Sequence, residues 1–261
     1  MRLLIVAAAL AGSCTVSPAT PASHIAARSA ATHDSGSPHL PPLAGVVVGI
    51  DPGHNGHNYM DPAYINHTVW NGREQEACDT TGTETNAGYP EPRFTFRVAK
   101  LLAADLRQLG ADVVMTRHDN HGVGPCIDRR ARILNRARAT VAIDLHADGG
   151  PASGRGFAIL EPVKSTVNRR VVGASAVLGR VVRHKLLTMT GMPTSSYDGH
   201  RGIAHRDDLA GLNLATQPKV LVECGNMRNA RDARKLVSTH FQRRLAAAFT
   251  AAVTRYLRIS R

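Results

Sequence analysis

Three apolar runs of this 261-residue chain each end in a residue able to bind a metal or move a proton. Val46-Val47-Val48-Gly49-Ile50-Asp51-Pro52-Gly53 leads into His54, Thr140-Val141-Ala142-Ile143-Asp144-Leu145 into His146, and Pro218-Lys219-Val220-Leu221-Val222 into Glu223. Taken singly, each polar end is more often a surface or capping residue than a ligand. Their recurrence is what suggests chemistry. Two neutral imidazoles and one carboxylate bind zinc and leave a fourth position for water. Zinc brings the pKa of that water towards neutrality and polarises a carbonyl. A further carboxylate takes the water proton and passes it to a leaving amine. Glu91 and Glu223 are the two candidate carboxylates, one to ligate and the other to act as base. Spacing does not assign them, because these are scattered positions and not a local motif such as His-Glu-x-x-His. His57 and His67 read as loop histidines more readily than as ligands.

The elements that must position these residues follow from the apolar pattern. Each run is a buried strand, and Asp51-Pro52-Gly53 stops the first because Pro cannot continue a ladder. Open α/β sheets place functional groups in the crevice beyond such strand ends. Val98, Leu101, Leu102, Leu106 and Leu109 follow helical spacing, with Pro92 at the first turn and Gly110 at the end. Glu91 then stands at a helix start, where it either meets the helix dipole or is aimed at His54. A strand is expected over 111–116, a loop over 117–125, a basic helix over 126–139, a strand at Phe157–Leu160, a helix over 168–190 and a closing helix over His240–Leu257. Residues 191–207 read as a loop, Leu209–Leu214 as a helical turn, and 57–90 as a long irregular stretch. The order predicts an α/β fold: one domain, a twisted, mostly parallel sheet covered by helices on both faces.

Hydrophobic residues make up 43% of the chain, enough for a core, and aromatics only 4%, so that core is aliphatic. The formal net charge of +12 suits an anionic neighbourhood, although a solvated basic face accounts for it equally well. No aromatic-basic stacking motif or recognition helix is evident, which disfavours nucleic acid. Met1-Arg2 followed by the apolar Leu3–Gly12 is too short to span a membrane and suits a signal peptide over 1–13. Ala11-Gly12-Ser13-Cys14 resembles a lipoprotein box, apart from Ala11 where Leu is usual, and marks Cys14 for lipidation. Plain cleavage near Ala19-Thr20-Pro21-Ala22 is the alternative. Residues 15–42, rich in Ala, Ser, Pro and Thr, read as a disordered tether to a domain over 43–261. An exported protein in an oxidising compartment would pair Cys78 with Cys126, both in loop-like surroundings. Cys224, in a strand, reads as a buried thiol.

Asp51-Pro52-Gly53-His54-Asn55-Gly56, Leu145-His146-Ala147-Asp148 and Val222-Glu223-Cys224-Gly225-Asn226 together resemble the signature blocks of the zinc-dependent N-acetylmuramoyl-L-alanine amidases of the third type, especially the short single-domain mycobacterial form. The resemblance runs from about Val46 to the C-terminus. It implies a twisted sheet covered by helices and cleavage of the amide between N-acetylmuramic acid and L-alanine. It also implies one zinc ion on His54, Glu91 and His146, with Glu223 as the catalytic carboxylate. Tyr89-Pro90-Glu91 before a helix carries the match for Glu91, and Glu84 is the nearby substitute. Two positions depart from the pattern. Asp144 replaces a usual Ser, and Cys224 an apolar residue. Asp144 shares a strand face with His146 and is expected to orient it from behind.

The expected partners are peptidoglycan or muropeptide fragments, with contact to membrane only through a lipid anchor. A monomer in the periplasm or cell envelope is expected. A zinc peptidase acting on stem peptides is the rival enzyme. A non-catalytic envelope-binding lipoprotein is the rival from another class, and it would have been favoured by loss of Glu223 or of a histidine.

Overall fold

The computed structural model describes Ser13 and residues 40–260. All but the last residue of the expected signal peptide, Cys14 and most of the expected tether lie outside the described residues. From Leu40 onward the chain forms one compact unit. Its elements are β1 (Val47–Pro52), α1 (Pro62–Asn66), β2 (Thr68–Trp70), β3 (Gln75–Ala77), α2 (Glu91–Gln108), β4 (Asp112–Met115), α3 (Ile127–Arg136), β5 (Val141–Asp148), β6 (Ala158–Pro162), α4 (Val172–Thr190), β7 (Ile203–Arg206), α5 (Ala210–Asn213), β8 (Lys219–Asn226), α6 (Ala230–Leu236) and α7 (Thr239–Ile259).

Six strands form the main sheet in the order β4-β1-β5-β8-β6-β7. All neighbours are parallel except β6, which runs antiparallel to β8. Strand alternation sorts the side chains onto two faces. Val48, Ile50, Ile143, Leu145, Val220 and Val222 join the large core with the apolar faces of α2, α4 and α7. On α2 that face is Phe94, Val98, Leu102 and Leu106, four residues apart and fully buried. Each such side chain removed from water contributes about 1.5–3 kcal/mol. The opposite face carries a small cluster of Ala158, Leu160, Leu212 and Leu221 beside α5, and Leu134 of α3 lies under Gly49. Helices therefore cover both faces, as the apolar pattern predicts.

Several local expectations change. The stretch 57–90 is not irregular throughout: it holds α1 and the antiparallel hairpin β2–β3. Strands of three residues leave no readable period. The expected loop 191–207 contains β7, whose edge position lets it be polar. Helix α6 was not anticipated, although Asn229 caps it by accepting from the amides of Arg231 and Asp232. The connection from β5 to β6 has no helix, and β6 accordingly reverses direction. Among the described residues, no helix is long and apolar enough to cross a membrane.

Candidate metal centre

Sheet register assembles the centre. β1 pairs with β5 as far as Pro52 opposite Leu145, so His54 leaves the sheet beside His146. On the other side His146 pairs directly with Glu223 of β8. The two imidazoles meet edge to face, with ring centroids 4.9 Å apart. Gly53 makes this approach possible, because a Cβ there would lie 2.3 Å from His146 Cε1. His54 itself sits at φ 56°, a left-handed conformation uncommon for a non-glycine residue and characteristic of constrained functional turns.

Glu91 is the first residue of α2 and is 3% exposed. Its Oε1 lies 2.9 Å from His146 Nδ1 and accepts from the Ala147 amide at 3.0 Å. Its Oε2 lies 3.3 Å from His54 Nε2 and accepts from the Thr83 amide at 3.0 Å. Ligand atoms from His54, Glu91 and His146 all fall within 4.8 Å of one another. Glu84, by contrast, is exposed and bridges to Pro90.

The remaining nitrogen of each imidazole faces a carboxylate. His54 Nδ1 is 2.9 Å from Asp79 Oδ1, and His146 Nε2 is 3.4 Å from Asp144 Oδ1. Both carboxylates are tied to buried cations: Arg130 Nη2 lies 3.2 Å from Asp79 Oδ2, and Lys219 Nζ 2.9 Å from Asp144 Oδ2. Both cations converge on Asp51, Arg130 at 3.1 Å and Lys219 at 2.7 Å. An alternating ring of charges therefore runs behind the centre from one histidine to the other. A cavity of about 220 Å³ borders it, walled by Glu76 and Ala77 of the hairpin and by Leu209, Ala210 and Gly211.

The electrostatics favour a positive charge at this point. Burial opposes ionisation of Glu91, but the two imidazoles outweigh it and hold its carboxyl well below the usual range. Burial alone would depress His54, yet Glu91 and Asp79 raise it to about 9. His146 is likewise raised against its burial by Asp144 and Glu91. Glu223 moves the other way: burial, reinforced by Glu91 and Asp148 and opposed by His146, raises it to about 8. Its Oε2 is buried and has no hydrogen-bond partner among the described residues. Two imidazole nitrogens and a carboxylate aimed at one point, each imidazole backed by a carboxylate, are a donor set that fits zinc.

His57 and His67 lie apart from this set. His57 packs against His121 and Tyr59. His67 lies beside Cys78 and Cys126, whose sulfurs are joined as the expected disulfide. Cys224 is buried and free. Sequence reasoning missed Asp79, Arg130 and Lys219. Only Lys219 gave a signal, as a lone charge in an apolar strand with the same facing as Glu223.

The N-acetylmuramoyl-L-alanine amidase family profile matches residues 48–255. N-acetylmuramoyl-L-alanine amidase Rv3717 of Mycobacterium tuberculosis is 41% identical over 216 residues, covering 82% of this chain and 88% of that protein. The crystal structure of the amidase Ami1 from Mycobacterium smegmatis superposes with a TM-score of 0.78 at 38% identity, over 83% of this chain and 99% of that one. The apo form of Ami1 from Mycobacterium abscessus gives a TM-score of 0.78 at 40% identity, over 82% of this chain and 100% of that one. A family match over most of the chain, a 41% identical relative and a matching fold make the chain a member of the N-acetylmuramoyl-L-alanine amidase family of hydrolases.

Proposed function

We propose that this chain cleaves the amide between N-acetylmuramic acid and L-alanine in peptidoglycan, with one zinc ion on His54, Glu91 and His146 and with Glu223 as the general base. The convergence of those three ligand atoms within 4.8 Å, next to a buried and unpartnered Glu223 oxygen, carries the reading. When bound, zinc supplies Lewis acidity, polarising the amide carbonyl and acidifying a water. Glu223 takes that water's proton and delivers it to the departing L-alanine amine. Burial, which raises Glu223 to about 8 in the metal-free chain, favours its holding the proton between those two transfers. Asp79 accepts the outward N–H of His54, and Asp144 stands 3.4 Å from the outward nitrogen of His146; a carboxylate so placed favours the tautomer that presents the other nitrogen to the metal. An Asp144→Ser variant with unchanged zinc affinity would argue against that part.

The substrate implies export to the cell envelope, in keeping with the signal-like residues 1–13, processed either by lipidation at Cys14 or by plain cleavage. The test is mass spectrometry of a defined muropeptide, with chelator and then with zinc restored. Free stem peptide beginning in L-alanine, lost with chelator and regained with zinc, is the expected product. Shortened stems still joined to the sugar would assign the chain to the stem-peptide hydrolases instead.

A further inference from the structure

A groove of about 580 Å³ lies outside the metal centre, between the turn after β1, the outer face of α2 and the loop after β4. It begins two residues beyond each of two candidate ligands: Gly56 follows His54, and Arg93 follows Glu91. Arg93, Arg97 and Lys100 line one wall at helical spacing, facing His57, His118 and His121 on the other. Asp119 is the one carboxylate in the lining, and its Oδ1 already accepts from the His121 amide at 2.8 Å.

Two aromatic rings interleave with these cations. Tyr59 is 65% exposed at the rim. Phe96 forms part of the floor, with the Arg117 guanidinium 4.8 Å and the Lys100 ammonium 5.9 Å from its centroid. Tyr59 therefore offers an exposed ring face and Phe96 a half-buried one beside the cations.

The walls are held in place from beneath. Arg117, buried, donates to Pro52 O at the end of β1 at 3.0 Å, to Pro92 O in the first turn of α2 at 2.8 Å and to Asp119 O in the third wall at 2.8 Å. One guanidinium thus joins all three segments of the groove to the two elements that deliver His54 and Glu91. Arg97 is itself steadied by donating to Thr239 Oγ1 at 3.2 Å.

We infer that this groove is a binding subsite for an anionic polysaccharide that runs past the metal centre. Its cations meet carboxylate or phosphate groups on the polymer, and its rings offer apolar faces to sugar C–H groups. The inference does not rest on the amidase reading, because its readout is binding.

The test is equilibrium binding of the full chain to three probes: hyaluronate, which is sugar with carboxylates; polyphosphate, which is charge without sugar; and dextran, which is sugar without charge. Arg97→Ala with Lys100→Ala should weaken hyaluronate binding roughly tenfold, the sum of two solvent-screened charge contacts. Removing the same charge from the exposed face of α7, as Arg255→Ala with Arg258→Ala, should leave binding unchanged. Tyr59→Ala should weaken hyaluronate several-fold and leave polyphosphate unaffected, with dextran unbound throughout. Equal losses from the α2 and α7 pairs would overturn the inference in favour of diffuse charge. So would absence of hyaluronate binding, or indifference of hyaluronate to Tyr59→Ala. Unchanged thermal midpoints for the variants separate these outcomes from unfolding.

Discussion

The two histidines receive the same support from opposite kinds of structure. His146 stands on β5, between β1 and β8, and its carboxylate Asp144 is two residues earlier on the same strand. Lys219, which holds Asp144, is on the adjacent strand β8. Strand register alone therefore sets that half. His54 is past the end of β1 in a left-handed turn, and its carboxylate Asp79 is on a loop. Asp79 follows Cys78, and the bond to Cys126 joins that loop to the start of α3, which brings Arg130. Where the sheet supplies order, hydrogen-bonded register suffices. Where it ends, a covalent staple takes over. Asp51, on β1 and bound to both cations, couples the halves.

The sharpest way to break the sheet-held half is Lys219→Met. Asp144 would lose its buried cation, and a loss of about 3–5 kcal/mol in unfolding free energy is expected. Adding Asp144→Ser removes the stranded charge, so the double variant should recover part of that loss in denaturant titrations. If the double variant is no better than the single, the pair is not coupled.

The loop-held half should yield to loss of the staple. Replacing Cys78 and Cys126 with Ser opens a closure of 48 residues, worth about 4 kcal/mol by chain entropy. Zinc affinity should fall with it, because Asp79 and Arg130 lose their tether. Unchanged affinity in a still-folded double variant would show that the staple does not serve the centre.

Removing each outer carboxylate then compares the halves directly. Asp79→Ala and Asp144→Ala should each weaken zinc binding by about 10–100-fold. The loop variant should be nearer the upper end, since His146 keeps its strand and His54 has none; calorimetric zinc titrations decide the order.

A smaller effect appears in pH dependence. His54 in the metal-free fold is raised to about 9. The stability this adds to the chelated chain is full below the unfolded imidazole value near 6.5 and is lost as pH rises through about 9. Zinc requires neutral imidazoles, so its added stability should grow over the same window. Thermal midpoints of chelated and loaded protein should therefore diverge between about pH 6.5 and 9, and parallel curves would contradict this charge balance.

The legible parts of this molecule are those with long periods or strand-end punctuation. β1, β5, β8, α2 and α7 announce themselves through apolar runs and helical spacing; they carry His146, Glu223 and Glu91, and β1 leads into His54. The face shared by Asp144 and His146 follows from alternation alone. Asp79 and Arg130 were hidden because only the disulfide and a loop path bring them behind His54, and neither leaves a local pattern. The hairpin β2–β3 and edge strand β7 are too short or too polar for periodicity to mark. The reversal of β6 depends on a missing helix, which shows only once the strands are paired.

The measurement that bears most directly on the zinc-and-carboxylate account is made on Glu223→Gln. Its zinc content is determined by elemental analysis, and its cleavage of a defined muropeptide by mass spectrometry, beside the unaltered chain. The account predicts one zinc per chain in both proteins and a cleavage rate lowered about 10²–10⁴-fold in the variant. Cleavage at the original rate would remove Glu223 from the chemistry, and loss of zinc from the variant would make it a ligand and not the base.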